Sequence, residues 1–151
     1  MTPITTLSGL RACSGREIWV TDWIPITQER IDRFAGATGD HQWIHVDPER
    51  ARRESPYRAA IAHGFLTLSL VPGFLLEATP LSDIRMAINY GLNRVRFPAP
   101  VRAGSRIRAR IVLQSLRDAG GAAEAIYAVT VECEGEGKPC CVAEMIARYY
   151  V

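Results

Sequence analysis

Between Gly64 and Ala78 the chain carries no charge until Glu77, and this run constrains the fold more than any other stretch. At helical spacing, Phe65, Leu66, Leu68, Leu70, Val71, Phe74, Leu75 and Leu76 place apolar side chains on every face. A helix apolar all round has to be covered all round. The unbroken apolar part, Phe65 to Leu76, is too short to span a bilayer and holds Pro72. Pro72-Gly73 kinks this helix or ends its first half. The rest of the chain therefore has to supply the cover.

Beyond Ala78 the pattern turns to strands. Arg85-Met86-Ala87-Ile88-Asn89-Tyr90 leads to Asn93-Arg94-Val95-Arg96-Phe97. Arg106-Ile107-Arg108-Ala109-Arg110-Ile111 alternates strictly, and Gly120-Gly121 marks a tight turn. Segments 125–132 and 141–149 complete the series. Strands joined by short turns pair antiparallel. An apolar helix followed by about four long strands implies an α+β fold, with a curved antiparallel sheet wrapped around a central helix. Such a sheet leaves an open edge, and edges are commonly paired or covered, so a homodimer with a continuous sheet is expected.

Upstream, residues 4–13 suit a short helix, and residues 17–26 read as an edge strand ending at Pro25. Thr27 is a good N-cap for a helix from Gln28, whose apolar face is Ile31, Phe34 and Ala35. Gly36 and Gly39 end that helix and leave Asp40 to His45 in a loop. Asp47 and Pro48 then open a short charged helix.

The 151 residues suit one domain, 1–151. Apolar content of 48% and charged content of 23% are ordinary for a soluble globular chain. A net charge of +2 argues against a nucleic-acid partner. The cysteines at 13, 133, 140 and 141 match no metal spacing, and the N-terminus lacks the basic and apolar segments of a signal peptide. A cytoplasmic protein with free thiols and no membrane partner is expected.

Chemistry concentrates in Thr38-Gly39-Asp40-His41-Gln42-Trp43-Ile44-His45-Val46-Asp47 and in Ile61-Ala62-His63-Gly64-Phe65. Asp40 and His45 can form an acid/base pair gripping a water or a substrate proton. The competing reading makes Asp40 a turn cap and His45 an ordinary loop histidine. Gly64, opening the apolar helix, lets the backbone approach a carbonyl closely, and its N–H could stabilise a developing enolate oxygen. Equally, His63-Gly64 could be a plain helix start with a capping histidine. His41 reads as a surface residue beside the pair. Thr67 and Ser69 could reach a substrate or bond back to their own helix. Arg94 and Arg96 share one strand face, and Arg106, Arg108 and Arg110 share another. With Arg102 they form either a phosphate-binding surface or the solvated side of a sheet.

The residues Thr38-Gly39-Asp40, His45-Val46-Asp47 and Ile61-Ala62-His63-Gly64 resemble the MaoC-like dehydratase family, the (R)-specific enoyl-CoA hydratases of hot-dog fold. Ile88-Asn89-Tyr90-Gly91-Leu92-Asn93 and Val95-Arg96-Phe97-Pro98-Ala99-Pro100 look like a branch of actinobacterial hydratases and nodulation-protein-N-like proteins. The similarity runs from about residue 22 to the end. It implies a homodimer in which Asp40 and His45 hold the catalytic water and Gly64 N–H binds the thioester oxygen. It further implies hydration of trans-2-enoyl-CoA to (3R)-3-hydroxyacyl-CoA, with no metal and no cofactor beyond the substrate's own coenzyme A. Trp43, His63, Thr67, Ser69, Arg94 and Arg96 are then expected to contact substrate. Where many members have Asn-Pro, this chain has Gln42-Trp43, so Trp43 bears on acyl-pocket shape. Three alternatives share the fold: a dehydratase acting on acyl-carrier-protein substrates, an acyl-CoA thioesterase, and a non-catalytic acyl-thioester-binding subunit.

Overall fold

Alternation along β4 (Arg106–Asp118), β5 (Ala123–Cys133) and β6 (Cys141–Tyr150) sends every second side chain inward in the computed structural model, which describes residues 1–151. Ile107, Ala109, Ile111 and Leu113 face Val129, Val131, Ala143 and Met145 across a fully antiparallel sheet and are buried together. The strand order is β1-β4-β5-β6-β3, with β1 (Arg16–Val20) and β3 (Met86–Arg96) at the ends and β2 (Ile24–Pro25) beside β4. Gly120 and Gly121 adopt φ of 57° and 89°, and Ala119 and Ala122 exchange backbone hydrogen bonds around them. That is the tight turn expected between β4 and β5.

The outer face of β4 carries the arginines, and they are occupied. Arg106 pairs with Glu134, Arg108 Nε lies 2.6 Å from Glu132, and Arg110 bonds both Glu132 at 2.9 Å and Glu17 at 3.1 Å. This stripe is a solvated sheet face laced by ion pairs, as in the second of the two readings. Arg102 faces Glu136 at 3.7 Å.

Against the inner face lie α1 (Leu7–Arg11), α2 (Gln28–Thr38), α5 (Gly64–Ser69) and α6 (Val71–Ala78). Leu10, Ile31, Ala35, Leu66, Val71, Phe74, Leu75 and Ala78 join the sheet in one core. Thr27 caps α2 through its side chain, as expected, and Asp47 does the same for α4 (Pro48–Glu54). No helix is long and apolar enough to cross a membrane.

Three expectations are corrected. The strand read over 17–26 is interrupted, because the Thr21 hydroxyl accepts from Ala109 N–H at 2.9 Å where a ladder carbonyl would otherwise sit. Gly36 lies within α2; only Gly39, at φ 78°, ends it, donating its N–H to Ala35 O. Residues 40–45 are not all loop, since Trp43–Val46 forms one helical turn, α3. The helix over 64–78 breaks at Leu70, one of the two outcomes expected of Pro72-Gly73, because Pro72 has no N–H and its ring would meet the carbonyl of Leu68.

Nor is that helix covered on all sides. Phe65 and Leu76 are 68% and 67% exposed, and β3 beside them exposes Met86, Ile88, Tyr90 and Leu92. One sheet curls around only part of a helix, and the remaining apolar face stays open.

Candidate active site

The site is assembled from three short segments that sequence distance keeps apart. Gly39 turns the chain out of α2 and delivers Asp40, which is exposed and whose Oδ1 accepts from Gln42 N at 3.3 Å. The turn α3 then swings His45 inward, where it is 7% exposed. Gln28 of α2 secures that turn by donating to His45 O at 2.7 Å. The third segment, Ile61 to Gly64, is tied to α3 through Ile61 N–H to Ile44 O at 3.0 Å and runs into α5.

His45 Nδ1 lies 2.7 Å from Ile61 O. A carbonyl only accepts, so Nδ1 carries the proton and Nε2 keeps a free lone pair. Burial holds the His45 pKa below its ordinary 6.5; the Ile61 carbonyl opposes this, His63 reinforces it and Asp40 opposes it. The ring is thus a neutral base at ordinary pH. Ligating atoms of Asp40, His45 and His63 all lie within 4.8 Å of one another. A water between the Asp40 carboxylate and His45 Nε2 would have two acceptors for its two protons.

Gly64 opens α5, so its N–H is one of the donors that an α-helix leaves without an internal partner. His63 precedes it as the cap residue, but its side chain makes no capping bond. Above Gly64 sits the Phe97 ring, so close that a Cβ on residue 64 would lie 2.9 Å from Phe97 Cδ2. Glycine is favoured here by space and not by backbone angle. His45, Gly64, Thr67, Tyr57, Phe97 and Cys140 line a cavity of about 260 Å³. Burial pushes the Cys140 thiol up to about 12, so it enters the cavity as a neutral apolar group.

Of the residues expected to contact substrate, Thr67 lines this cavity and the others do not. Ser69 is exposed and donates to Phe65 O at 2.6 Å, the bond-back expected as its alternative. The Trp43 ring packs under the Arg50 guanidinium at 4.4 Å and does not line the cavity. His63 is spent on the protein itself: its Nε2 donates to Asp40 O at 3.0 Å and its face stacks on His45 at 3.8 Å. Arg94 and Arg96 flank Val95, which packs on the core, so alternation puts both arginines on the other side of β3. His41 is exposed, as expected.

Sequence reasoning misses Tyr57, Phe97 and Cys140 as cavity walls. Phe97 stands within a family-like motif, Val95 to Pro100, whose two prolines signal a rigid segment, and that is a usable clue. Tyr57 and Cys140 carry no local signal, because they lie far apart in the chain and meet only on the wall of this cavity.

A neutral imidazole and a helix-opening N–H lining one small cavity, with a carboxylate close to that imidazole, on a curved sheet packed against an apolar helix, fit a hot-dog hydro-lyase. The chain belongs to the MaoC-like domain family, which it matches over residues 12–134. It is similar to 3-hydroxyacyl-thioester dehydratase Z of Mycobacterium tuberculosis, with 50% identity over 150 residues and 99% of each chain covered. It is also similar to Nodulation protein N of Rhizobium leguminosarum, 48% identical over 134 residues, covering 87% of this chain and 83% of that protein. Among solved structures it resembles in fold the (R)-hydratase from A. caviae involved in PHA biosynthesis. That match has a TM-score of 0.68 at 21% identity, covering 87% of this chain and 95% of the other.

Proposed function

We propose that this protein is an (R)-specific enoyl-CoA hydratase, converting trans-2-enoyl-CoA and water into (3R)-3-hydroxyacyl-CoA, and running the reverse dehydration. The observation that carries the reading is that His45 and Gly64 line one cavity, with the Asp40 carboxylate within 4.8 Å of the His45 ring nitrogen. In the hydration direction, Asp40 and His45 orient one water at the β-carbon. His45 Nε2 takes a proton as the water oxygen bonds to that carbon. The C=C electron pair moves to the thioester oxygen, where the Gly64 N–H stabilises the negative charge. The pair then returns a proton to the α-carbon and the enolate collapses. Asp40 and His45 act as one coupled unit in this step.

No metal is invoked. One nitrogen of each imidazole is already spent on a backbone carbonyl, His45 Nδ1 on Ile61 O and His63 Nε2 on Asp40 O. Arg94 and Arg96 remain candidates for contacting the phosphates of coenzyme A, from the sheet surface and not from the cavity wall.

A homodimer is part of the proposal. β3 ends the sheet with one edge unpaired, and the apolar side chains of β3, α5 and α6 are open to solvent. Pairing β3 with its copy would extend the sheet and cover that face.

A second reading is favoured by the similarity to a 3-hydroxyacyl-thioester dehydratase: the same chemistry on a substrate held by acyl carrier protein. The test is loss of enoyl absorbance with crotonyl-CoA, with a longer enoyl-CoA and with the same acyl groups on carrier protein, followed by chiral analysis. (3R)-Hydroxyacyl-CoA supports the first reading, and turnover confined to the carrier thioester supports the second. Release of free thiol would point to a thioesterase, and no turnover of any thioester to a binding subunit.

A further inference from the structure

His63 is 3% exposed and sits between two rings, His45 at 3.8 Å and Phe34 of α2 at 5.0 Å. Its own main chain is anchored, because its carbonyl accepts from Leu66 N and Thr67 N in the first turn of α5. The Nε2–H reaches Asp40 O at 3.0 Å, whereas the nearer Asp40 carboxylate oxygen is 3.9 Å away, too far for a hydrogen bond. Nδ1 is buried without a partner, so a proton there would have no acceptor, which fixes the Nε2–H tautomer.

Asp40 needs such a tie. It follows Gly39 at φ 78°, its side chain is 55% exposed, and its other hydrogen bonds are local and long: Oδ1 accepts from Gln42 N at 3.3 Å and the Asp40 N–H donates to Thr38 Oγ1 at 3.5 Å. The bond from His63 joins Asp40 to a segment of the chain outside its own loop.

We infer that His63 is a positioning residue, whose imidazole holds the Asp40 main chain and the His45 ring at the one spacing that lets a single water bridge them. This rests on the hydratase reading. His63 touches neither the cavity nor the reacting atoms, so it acts through the other two. Its second effect is electrostatic, since a nearby imidazole opposes positive charge on His45. The other groups facing His45 are Asp40 after α2, Tyr57 after α4 and Cys140 before β6, while α2 contributes the uncharged Gln28.

The experiment compares His63→Phe and His63→Gln with wild type in crotonyl-CoA hydration across pH. Phe keeps a stacking face and loses the donor, so kcat should fall about 10- to 100-fold with KM nearly unchanged, the scale of a small misplacement of reacting groups. Gln restores an N–H near the same point, so kcat should recover most of the loss. In both variants the acid limb of the kcat profile should move to higher pH, because the second imidazole no longer opposes charge on His45. Nitrogen-15 NMR of wild type should find the His63 proton on Nε2.

Variants matching wild type in kcat and acid limb would overturn the inference, and so would a proton on Nδ1. Should His63→Phe fail to fold, His63→Gln and the tautomer decide. Asp40→Asn is measured alongside. If it retains turnover, the hydratase site itself is wrong; if it is inactive while the His63 variants are normal, only the positioning role fails.

Discussion

Replacing Gly64 with alanine tests the site at its tightest point. The new methyl would lie 2.9, 3.0 and 3.1 Å from Phe97 Cδ2, Cγ and Cε2. Favourable carbon contacts begin near ~3.5 Å, so the ring has to withdraw by roughly half an ångström. Overpacking of this kind costs about 1–3 kcal/mol. Two features soften the cost: Phe97 is 38% exposed and free to swing, and alanine is a better helix residue than glycine by up to ~1 kcal/mol. The net loss is then about 1–2 kcal/mol, or a fall in Tm of roughly 2–8 °C for a chain of this size. The N–H itself survives, so hydration suffers through the displaced Phe97 wall and the methyl crowding the thioester oxygen. Deleting an oxyanion donor outright costs about 10²–10³ in kcat, which sets the upper bound. Calorimetry and crotonyl-CoA hydration measure the two effects. Repeating the substitution in a Phe97→Ala background isolates the collision, because there Gly64→Ala should be neutral or stabilising. An equal destabilisation in both backgrounds would refute the steric argument, and wild-type turnover by Gly64→Ala would refute the placement of the thioester oxygen.

Four further outcomes are expected. Asp40→Asn should lower hydration by about 10²–10⁴ while Tm stays close to wild type, because the side chain is exposed and near-neutral for stability. His45→Ala should lose as much activity and also about 1–3 kcal/mol of stability, read by urea unfolding, since it leaves a buried carbonyl at Ile61 without its donor. Burial, aided by His63, keeps the folded His45 pKa below 6.5, so the unfolded chain takes up that proton first. Stability should therefore be full above that value and fall as pH drops below it, and Tm recorded from pH 7 to 5 should decline less in His45→Gln. Ile88→Asp on the exposed face of β3 should halve the mass seen by light scattering; an unchanged mass would place the subunit contact elsewhere.

Much of the site was legible because its parts are local. A carboxylate after a helix-ending glycine, an imidazole five residues on and a His-Gly at a helix start are patterns that a linear reading can find. His45 nevertheless arrives on a helical turn and not a loop, since the ties from Gln28 and Ile61 favour a local hydrogen-bonded turn that propensity alone did not suggest. Ser69 and Trp43 show the opposite limit. Both lie near the catalytic segments in sequence, yet one bonds its own helix and the other stacks under Arg50. The β4 arginines looked free because their partners, Glu132, Glu134 and Glu17, lie on other strands or in the loop beyond β5.

By itself the sequence determined the periodicities: an uncharged apolar helix interrupted at Pro72, strands that alternate, caps at Thr27 and Asp47, and a glycine turn at 120–121. These come from side-chain chemistry and backbone sterics within a few residues. Tertiary structure decided what those periods cannot encode. It chose which nitrogen of His45 keeps a free lone pair, because that depends on the Ile61 carbonyl arriving from another segment. It set His63 against Asp40, walled the cavity with Phe97, Tyr57 and Cys140, and left one apolar face uncovered. Each of these is a contact between residues far apart in the chain, and such contacts exist only once the sheet has closed around the helix.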